Sequence, residues 1–233
     1  MSNFKDLKEE CYHANMALNQ QGLVLYTFGN VSAVDRSEKV FAIKPSGVPY
    51  EELTPQKMIV VDFKGNIIEG NLKPSSDTAT HAFLYNHFQN IGGIAHTHAI
   101  YSTAWSQTLR DIPLLGTTHA DYIPYDIPCT PLMNDSLILD NYEYNTGKQI
   151  IDCLDNQKLD YREVEMILVG NHGPFCWGAD AQKAVFNSRV LEEIAHMAYL
   201  TLQINPKSEK LKAALIDKHY QRKHGAKKYY GQI

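Results

Sequence analysis

Apolar and polar positions along the chain fall into blocks of different period. Phe4, Leu7, Cys11, Ala14 and Leu18 recur at steps of three and four, which predicts an opening amphipathic helix. LVLYTF at 23–28 is a continuous apolar run that predicts a strand, broken by Gly29-Asn30. VSAVD and VFAIK read as the two strands of a hairpin, and MIVVDF and IIEG, joined by the turn Lys64-Gly65-Asn66, read as another. Residue types favoured as helix N-caps at 75–77 start a helix that runs to about Gln89. IGGIAHTH is a short buried strand, followed by a helical run from Ala99. VEMILVG at 164–170 is a buried strand that ends in the turn Asn171-His172-Gly173-Pro174. Asp180 caps a long helix with Ala184, Val185, Leu191, Ile194, Ala195, Ala198 and Leu202 on its apolar face, and Asn205-Pro206 ends it. Ser208 is placed to cap a last helix and Gly225 to stop it. Strands and helices are interspersed and several strands read as hairpins. The fold class is α/β, a mixed layered fold with a largely antiparallel central sheet and not a doubly wound parallel one.

A chain of 233 residues suffices for one sizeable core, so residues 1–233 are read as a single domain. No apolar run approaches the roughly 20 residues that span a bilayer, and the polar opening MSNFKDLKEE does not read as a signal peptide. Cys11, Cys129, Cys153 and Cys176 are scattered without a CxxC, which points to a reduced, cytoplasmic protein with neither a disulfide framework nor a thiolate zinc site. The net charge of −4 is unevenly spread. From Lys207 onward eight Lys and Arg face only Glu209 and Asp217, a balance of +6 that leaves −10 for the rest. No helix-turn-helix, RNA-binding signature or finger spacing accompanies the basic end, so it is read as a solvated helix face with subunit contacts and not as a nucleic-acid surface. GxGxxG, Walker A and GxSxG are all missing, so no nucleotide cofactor is expected.

Three groups of residues have the makings of chemistry. His96-Thr97-His98 places two imidazoles on one face of a strand, directly after a buried run. His172 stands at another strand end and Asp77 at a helix start, and three His with one Asp make a nitrogen and oxygen donor set suited to Zn2+, with Mn2+ or Co2+ as further options. His81, one helical turn after Asp77, competes with it as a ligand and is preferred as support for the ligands. The second group is three Gly/Ser segments, Thr27-Phe28-Gly29-Asn30, Lys44-Pro45-Ser46-Gly47 and Lys73-Pro74-Ser75-Ser76. Together they offer amides, hydroxyls and a helix N-terminus to a phosphate, with Lys44 as counter-charge. The third group is polar: Thr117-Thr118-His119-Ala120-Asp121-Tyr122, with His219 and the terminal Tyr229-Tyr230.

TFGNVSAVD, IKPSGV, KPSSDTATH, GGIAHTH, GTTHADY, NHGPFCWG and the ending KHYQRKHGAKKYYGQ together resemble, in order and over nearly the whole chain, the L-ribulose-5-phosphate 4-epimerases of the class II aldolase/adducin superfamily. The resemblance implies an α/β/α layered fold and a C4 homotetramer whose sites lie between adjacent subunits. A C-terminal helix and tail, about 207–233, would reach the neighbouring chain. It implies a zinc-type site of Asp77, His96, His98 and His172, and a phosphate site of Gly29, Asn30, Ser46, Gly47, Ser75 and Ser76 with Lys44 beside them. Asp121 and Tyr230 would be the catalytic acid/base pair, supplied by the neighbouring subunit. The implied reaction interconverts L-ribulose 5-phosphate and D-xylulose 5-phosphate by metal-assisted cleavage and re-formation of the C3–C4 bond, a step of arabinose and ascorbate catabolism. In the related sugar-phosphate aldolases the position of Asp77 resembles a catalytic glutamate, so Asp77 points to the epimerase branch. The alternatives are an aldolase of the same superfamily and a metal-free interaction module like adducin.

Overall fold

The computed structural model describes residues 4–226, 228 and 229. Seven strands form one sheet: β1 (Asn30–Asp35), β2 (Val40–Ile43), β3 (Ile59–Asp62), β4 (Ile67–Glu69), β5 (Gly93–His96), β6 (Met166–Val169) and β7 (Gly173–Gly178). Their order is β4-β3-β2-β1-β5-β7-β6, and every neighbouring pair is antiparallel. The helices are α1 (Lys5–Gln20), α2 (Thr78–His87), α3 (Ile100–Gln107), α4 (Thr117–Ala120), α5 (Asp135–Gln157), α6 (Tyr161–Val164), α7 (Ala181–Ile204) and α8 (Ala213–His224).

Period-two alternation along the strands builds two cores, one on each face of the sheet. Phe41, Ile43, Ile59, Val61 and Ile94 point to one face, where Leu84, Tyr85 and Phe88 from α2 and its C-cap, Ile150 and Leu154 of α5, and Ile194 of α7 pack. Val31, Ala33, Val40, Ala42, Val60 and Ala95 point to the other, against Cys11, Ala14 and Leu18 of α1 and Ala181, Ala184 and Val185 of α7. The result is a single-domain α/β/α layered fold. The first turn of α7 passes so close to β5 that a Cβ on Gly93 would lie 2.3 Å from Ala181 Cα, which is why only glycine fits there. Among the described residues no helix is long and apolar enough to cross a membrane.

Several expectations are corrected. Residues 23–28 are not a strand: Leu23 is buried, but Leu25, Tyr26 and Phe28 are exposed and Tyr26 has φ +55°. Among the described residues no strand pairs with this run, so its apolar pattern reflects a surface and not a core. The turn expected at Asn171-His172-Gly173-Pro174 is shorter: Gly173 and Pro174 already belong to β7, an interior strand between β5 and β6. Pro174 stands one residue inside its start, and its carbonyl is used where its missing N–H cannot be. The last helix starts at Ala213 after Lys212 and is not capped by Ser208. The 23-residue α5, capped by Asn134, had no counterpart in the expected elements: it is broken at Asn141, its buried residues all follow the break, and Leu137, Ile138 and Leu139 before it are exposed.

Candidate active site

Strand register brings the first residues of the site together. Asn30 pairs directly with His96 across β1 and β5, and His96 pairs with Phe175 across β5 and β7. Gly29, just before β1, has φ +73°, and a Cβ there would lie 2.8 Å from the His96 carbonyl oxygen, so the chain can turn past His96 only as glycine. The loops 44–47 and 73–76 are zipped to each other: Ser46 N–H donates to Lys73 O at 2.9 Å and Ser75 N–H to Lys44 O at 3.0 Å. Those two amides are spent within the loops and are not offered to a ligand.

One cavity of ≈ 290 Å3 is lined by Gly29, Asn30, Lys44, Ser46, Gly47, Ser75, Ser76, Asp77, His96, His98 and His172, with Thr27, Phe28 and Pro45 completing its wall. Every residue assigned from the sequence to the metal or to the phosphate therefore borders the same space. Phe28 stands with its ring centroid 6.0 Å from that of His98 and carried no chemical signal in the sequence.

The imidazoles of His96, His98 and His172 offer ligand atoms all within 4.8 Å of one another, and His96 Nε2 lies 3.0 Å from His98 Nε2. His96 Nδ1 faces the Pro174 carbonyl at 2.9 Å. A carbonyl only accepts, so Nδ1 carries the proton and Nε2 keeps its lone pair for the cavity. Burial, reinforced by neighbouring imidazoles, pushes His96 and His172 down to about 3, and burial also lowers His98. The three rings are neutral near pH 7, the state a metal needs. Asp77 sits at the N-cap position of α2, yet its side chain does not cap the helix; its Oδ2 accepts from Asn30 Nδ2 at 2.6 Å. Three neutral nitrogens beside a carboxylate fit Zn2+, Mn2+ or Co2+. Asp77 is not part of the tight imidazole group, although it borders the same cavity.

Asn30 differs in detail from a simple phosphate donor. Its amide N–H groups go to Asp77 and to Ser75 Oγ, while its buried Oδ1 has no partner among the described residues. What it shows a ligand is an acceptor, suited to a hydroxyl. Lys44 Nζ donates to Val48 O at 2.8 Å and lies 5.0 Å from the centre of the Tyr50 ring. Burial lowers it to about 8. His81 is buried, with Nδ1 2.7 Å from Ser32 Oγ, and burial pushes it down to about 3.

The other two predicted residues are elsewhere. Asp121 follows α4 and is held by α8 of its own chain: His219 Nδ1 at 2.9 Å, Arg222 Nη2 at 2.6 Å and Nε at 2.9 Å, and Lys223 Nζ at 3.6 Å. Burial alone would raise this carboxyl, but the Arg222 and His219 hydrogen bonds and the adjacent cations outweigh it and hold it below the usual range. Tyr230 lies outside the described residues. Tyr142 was missed by the sequence reading. It stands after the break in α5, with its hydroxyl 3.0 Å from His172 Nδ1.

The family described as Class II Aldolase and Adducin N-terminal domain matches residues 9–199. Among solved structures the chain is similar to an L-fuculose 1-phosphate aldolase at 22% identity and TM-score 0.78, covering 95% of this chain and 97% of that one. It is similar to YgbL, an aldolase/epimerase/decarboxylase candidate from Klebsiella pneumoniae, at 26% identity and TM-score 0.73, covering 94% and 99%. The L-fuculose-1-phosphate aldolase of Thermus thermophilus matches at 22% identity and TM-score 0.65, covering 88% and 98%.

Proposed function

The chain belongs to the class II aldolase and adducin family, and from that premise we propose that it is an L-ribulose-5-phosphate 4-epimerase. The observation that carries this reading is one cavity bordered both by neutral imidazoles with a carboxylate and by serine hydroxyls able to cradle an anion. An interaction module needs neither group. A phosphorylated ketose needs both, because the bond to be broken lies between its carbonyl and its phosphate.

Direct deprotonation at C4 of a sugar alcohol is unfavourable. A ketone at C2 opens another route, in which the C3–C4 bond breaks, the aldehyde fragment turns over, and the bond re-forms with C4 inverted. His96, His98, His172 and Asp77 would hold the ion. Zn2+, or Mn2+ or Co2+, supplies a Lewis acid that stabilises negative charge developing on the substrate oxygens when the bond breaks. Ser46, Ser75 and Ser76, with Gly29 and Gly47 allowing close approach and Lys44 beneath them, keep the phosphorylated aldehyde from leaving between the two steps. Asn30 Oδ1 accepts a hydroxyl of the substrate. Asp121 and Tyr230 serve as acid and base on opposite faces, supplied by the neighbouring chain of a C4 tetramer. Two features support epimerisation over net cleavage: aspartate at position 77, where the related aldolases resemble glutamate, and the ending KHYQRKHGAKKYYGQ. The description of YgbL, at 26% identity, spans both reactions.

Incubation of the purified, Zn2+-loaded protein with L-ribulose 5-phosphate tests the reading. D-xylulose 5-phosphate should accumulate without free glycolaldehyde phosphate. Release of the aldehyde with no epimerised ketose would make the protein an aldolase, and no turnover with no metal uptake would make it a binding module.

A further inference from the structure

We infer that Tyr142 is a positioning residue for the histidine cluster: its phenol oxygen accepts the Nδ1–H of His172 and so holds the Nε2 lone pair of that ring toward His96 and His98. The inference rests on the metal-site reading above and adds a residue to it.

His96 and His172 are oriented by different means. His96 ends a central strand and is fixed by a backbone carbonyl. His172 lies in the connection between β6 and β7, directly after Asn171 at φ +59°, outside the strand ladder. Among the described residues its ring has one hydrogen-bond partner, Tyr142 Oη at 3.0 Å from Nδ1. With Nδ1 facing the phenol, Nε2 is the nitrogen left to join the cluster. A phenol can donate or accept. Donation would place the ring proton on Nε2 and present an N–H where a lone pair is required. Acceptance leaves Nε2 free to ligate. The hydroxyl of a tyrosine thus does for His172 what the Pro174 carbonyl does for His96.

The backbone around Tyr142 is built to aim it. Asn141 has φ −143° and ψ 80°, which interrupts α5 immediately before Tyr142. Side chains meet the carbonyls around the break: Asn145 Nδ2 donates to Leu137 O at 2.9 Å, Thr80 Oγ1 of α2 to Glu143 O at 2.6 Å, and Thr146 Oγ1 to Tyr142 O at 2.8 Å. Further along, a Cβ on Gly147 would lie 2.9 Å from Phe83 Cβ, so α5 is seated tightly on α2. The break is therefore a fixed feature with repaired hydrogen bonds, and it sets the direction in which Tyr142 leaves the helix. Since Asp77 stands at the N-cap position of α2, one helix pair with its cap carries both Tyr142 and the carboxylate of the site.

Two measurements test this. In metal-free protein with 15N-labelled histidine, long-range proton–nitrogen spectra should show His172 protonated on Nδ1, and Tyr142→Phe should shift it toward the Nε2–H form. In chelator competition, Tyr142→Phe should lower Zn2+ affinity by about 10–100-fold. It should also alter the visible absorption of the Co2+ form, while the thermal midpoint of the metal-free protein stays unchanged. His172 protonated on Nε2 in the unsubstituted protein overturns the inference. So does Tyr142→Phe with unchanged affinity and cobalt spectrum, whether or not its thermal midpoint falls. An unsubstituted protein that takes up no Zn2+ overturns the metal-site reading and this inference with it; normal uptake with an indifferent Tyr142→Phe overturns this inference alone.

Discussion

Replacing Glu192 with Gln probes how the His96–His98 segment is held. Glu192 is a buried carboxylate on α7, 8% exposed, that faces the first turn of α3. Its oxygens accept from Tyr101 N at 2.9 Å, Ser102 N at 2.9 Å and Ser102 Oγ at 2.8 Å. These donors lie three and four residues beyond His98. The carboxylate satisfies two of the amides that every helix start leaves open, and its charge opposes the positive end of the helix. Glutamine keeps the shape but offers one acceptor oxygen, so its amide N–H2 must face either the Tyr101 N–H or the Ser102 donors. One donor is left unpaired. A hydrogen bond to a charged group is worth about 1.5–3 kcal/mol, and loss of the helix-end charge adds about 0.5–1 kcal/mol. The expected loss is about 2–4 kcal/mol. For a chain of this size each kcal/mol lowers the midpoint by about 2–4 °C, so Tm should fall by roughly 4–16 °C in calorimetry of the metal-free protein. A loss below about 0.5 kcal/mol would refute the argument that this carboxylate anchors the turn after His98. Glu192→Ala, which leaves the Tyr101 and Ser102 amides without this acceptor while the Ser102 hydroxyl keeps Ala99 O at 3.2 Å, should cost more than Glu192→Gln.

The remaining predictions concern the cavity. Ser75→Asp places a negative charge against the substrate phosphate and should weaken binding by at least about 2 kcal/mol, read as a rise in KM; an unchanged KM removes Ser75 from the phosphate site. Burial lowers Lys44 to about 8, so its positive charge is present below that pH and fades above it, and KM for the phosphorylated ketose should climb between pH 7 and 9. The stability effect has the opposite sign: between about 8 and 10.5 the unfolded chain binds the extra proton, so the free protein gains stability as pH rises, and Lys44→Met should flatten both profiles. His98→Asn should lose metal and activity together while folding normally; full metal content would count against its assignment. Mixing inactive Tyr230→Phe with inactive His98→Asn should recover part of the activity after verified subunit exchange if tail and metal site come from different chains, and no recovery would sink the shared-site arrangement.

How much of this was legible in the sequence depends on the range of the interaction involved. Local patterns carried well: the three- and four-residue spacing of Phe4 to Leu18 becomes α1, Asp180 does cap α7 through Lys183 N, and Gly225 does follow the last helix. The failures occur where a residue's partner is distant. A run such as LVLYTF has the composition of a buried strand, yet among the described residues no strand pairs with it, and Leu25, Tyr26 and Phe28 are exposed. Gly173-Pro174 has the punctuation of a turn, yet it opens β7, which β5 and β6 pair with from both sides. The site shows the same division. His96 and His98 are two residues apart, but β5 ends at His96, so it is the local spacing, and not a strand running through His98 as expected, that brings both to the cavity. That Asn30 pairs with His96, some 66 positions later, follows from sheet register, which no local rule contains. Tyr142 is the extreme case: its role depends on a helix break at Asn141 whose surrounding carbonyls are met by Thr80 from α2 and by the neighbouring Asn145 and Thr146 of α5. A hydroxyl whose direction is set by a repaired irregularity leaves no periodic trace, and for that reason residues that orient a ligand are harder to read from one sequence than the ligands are.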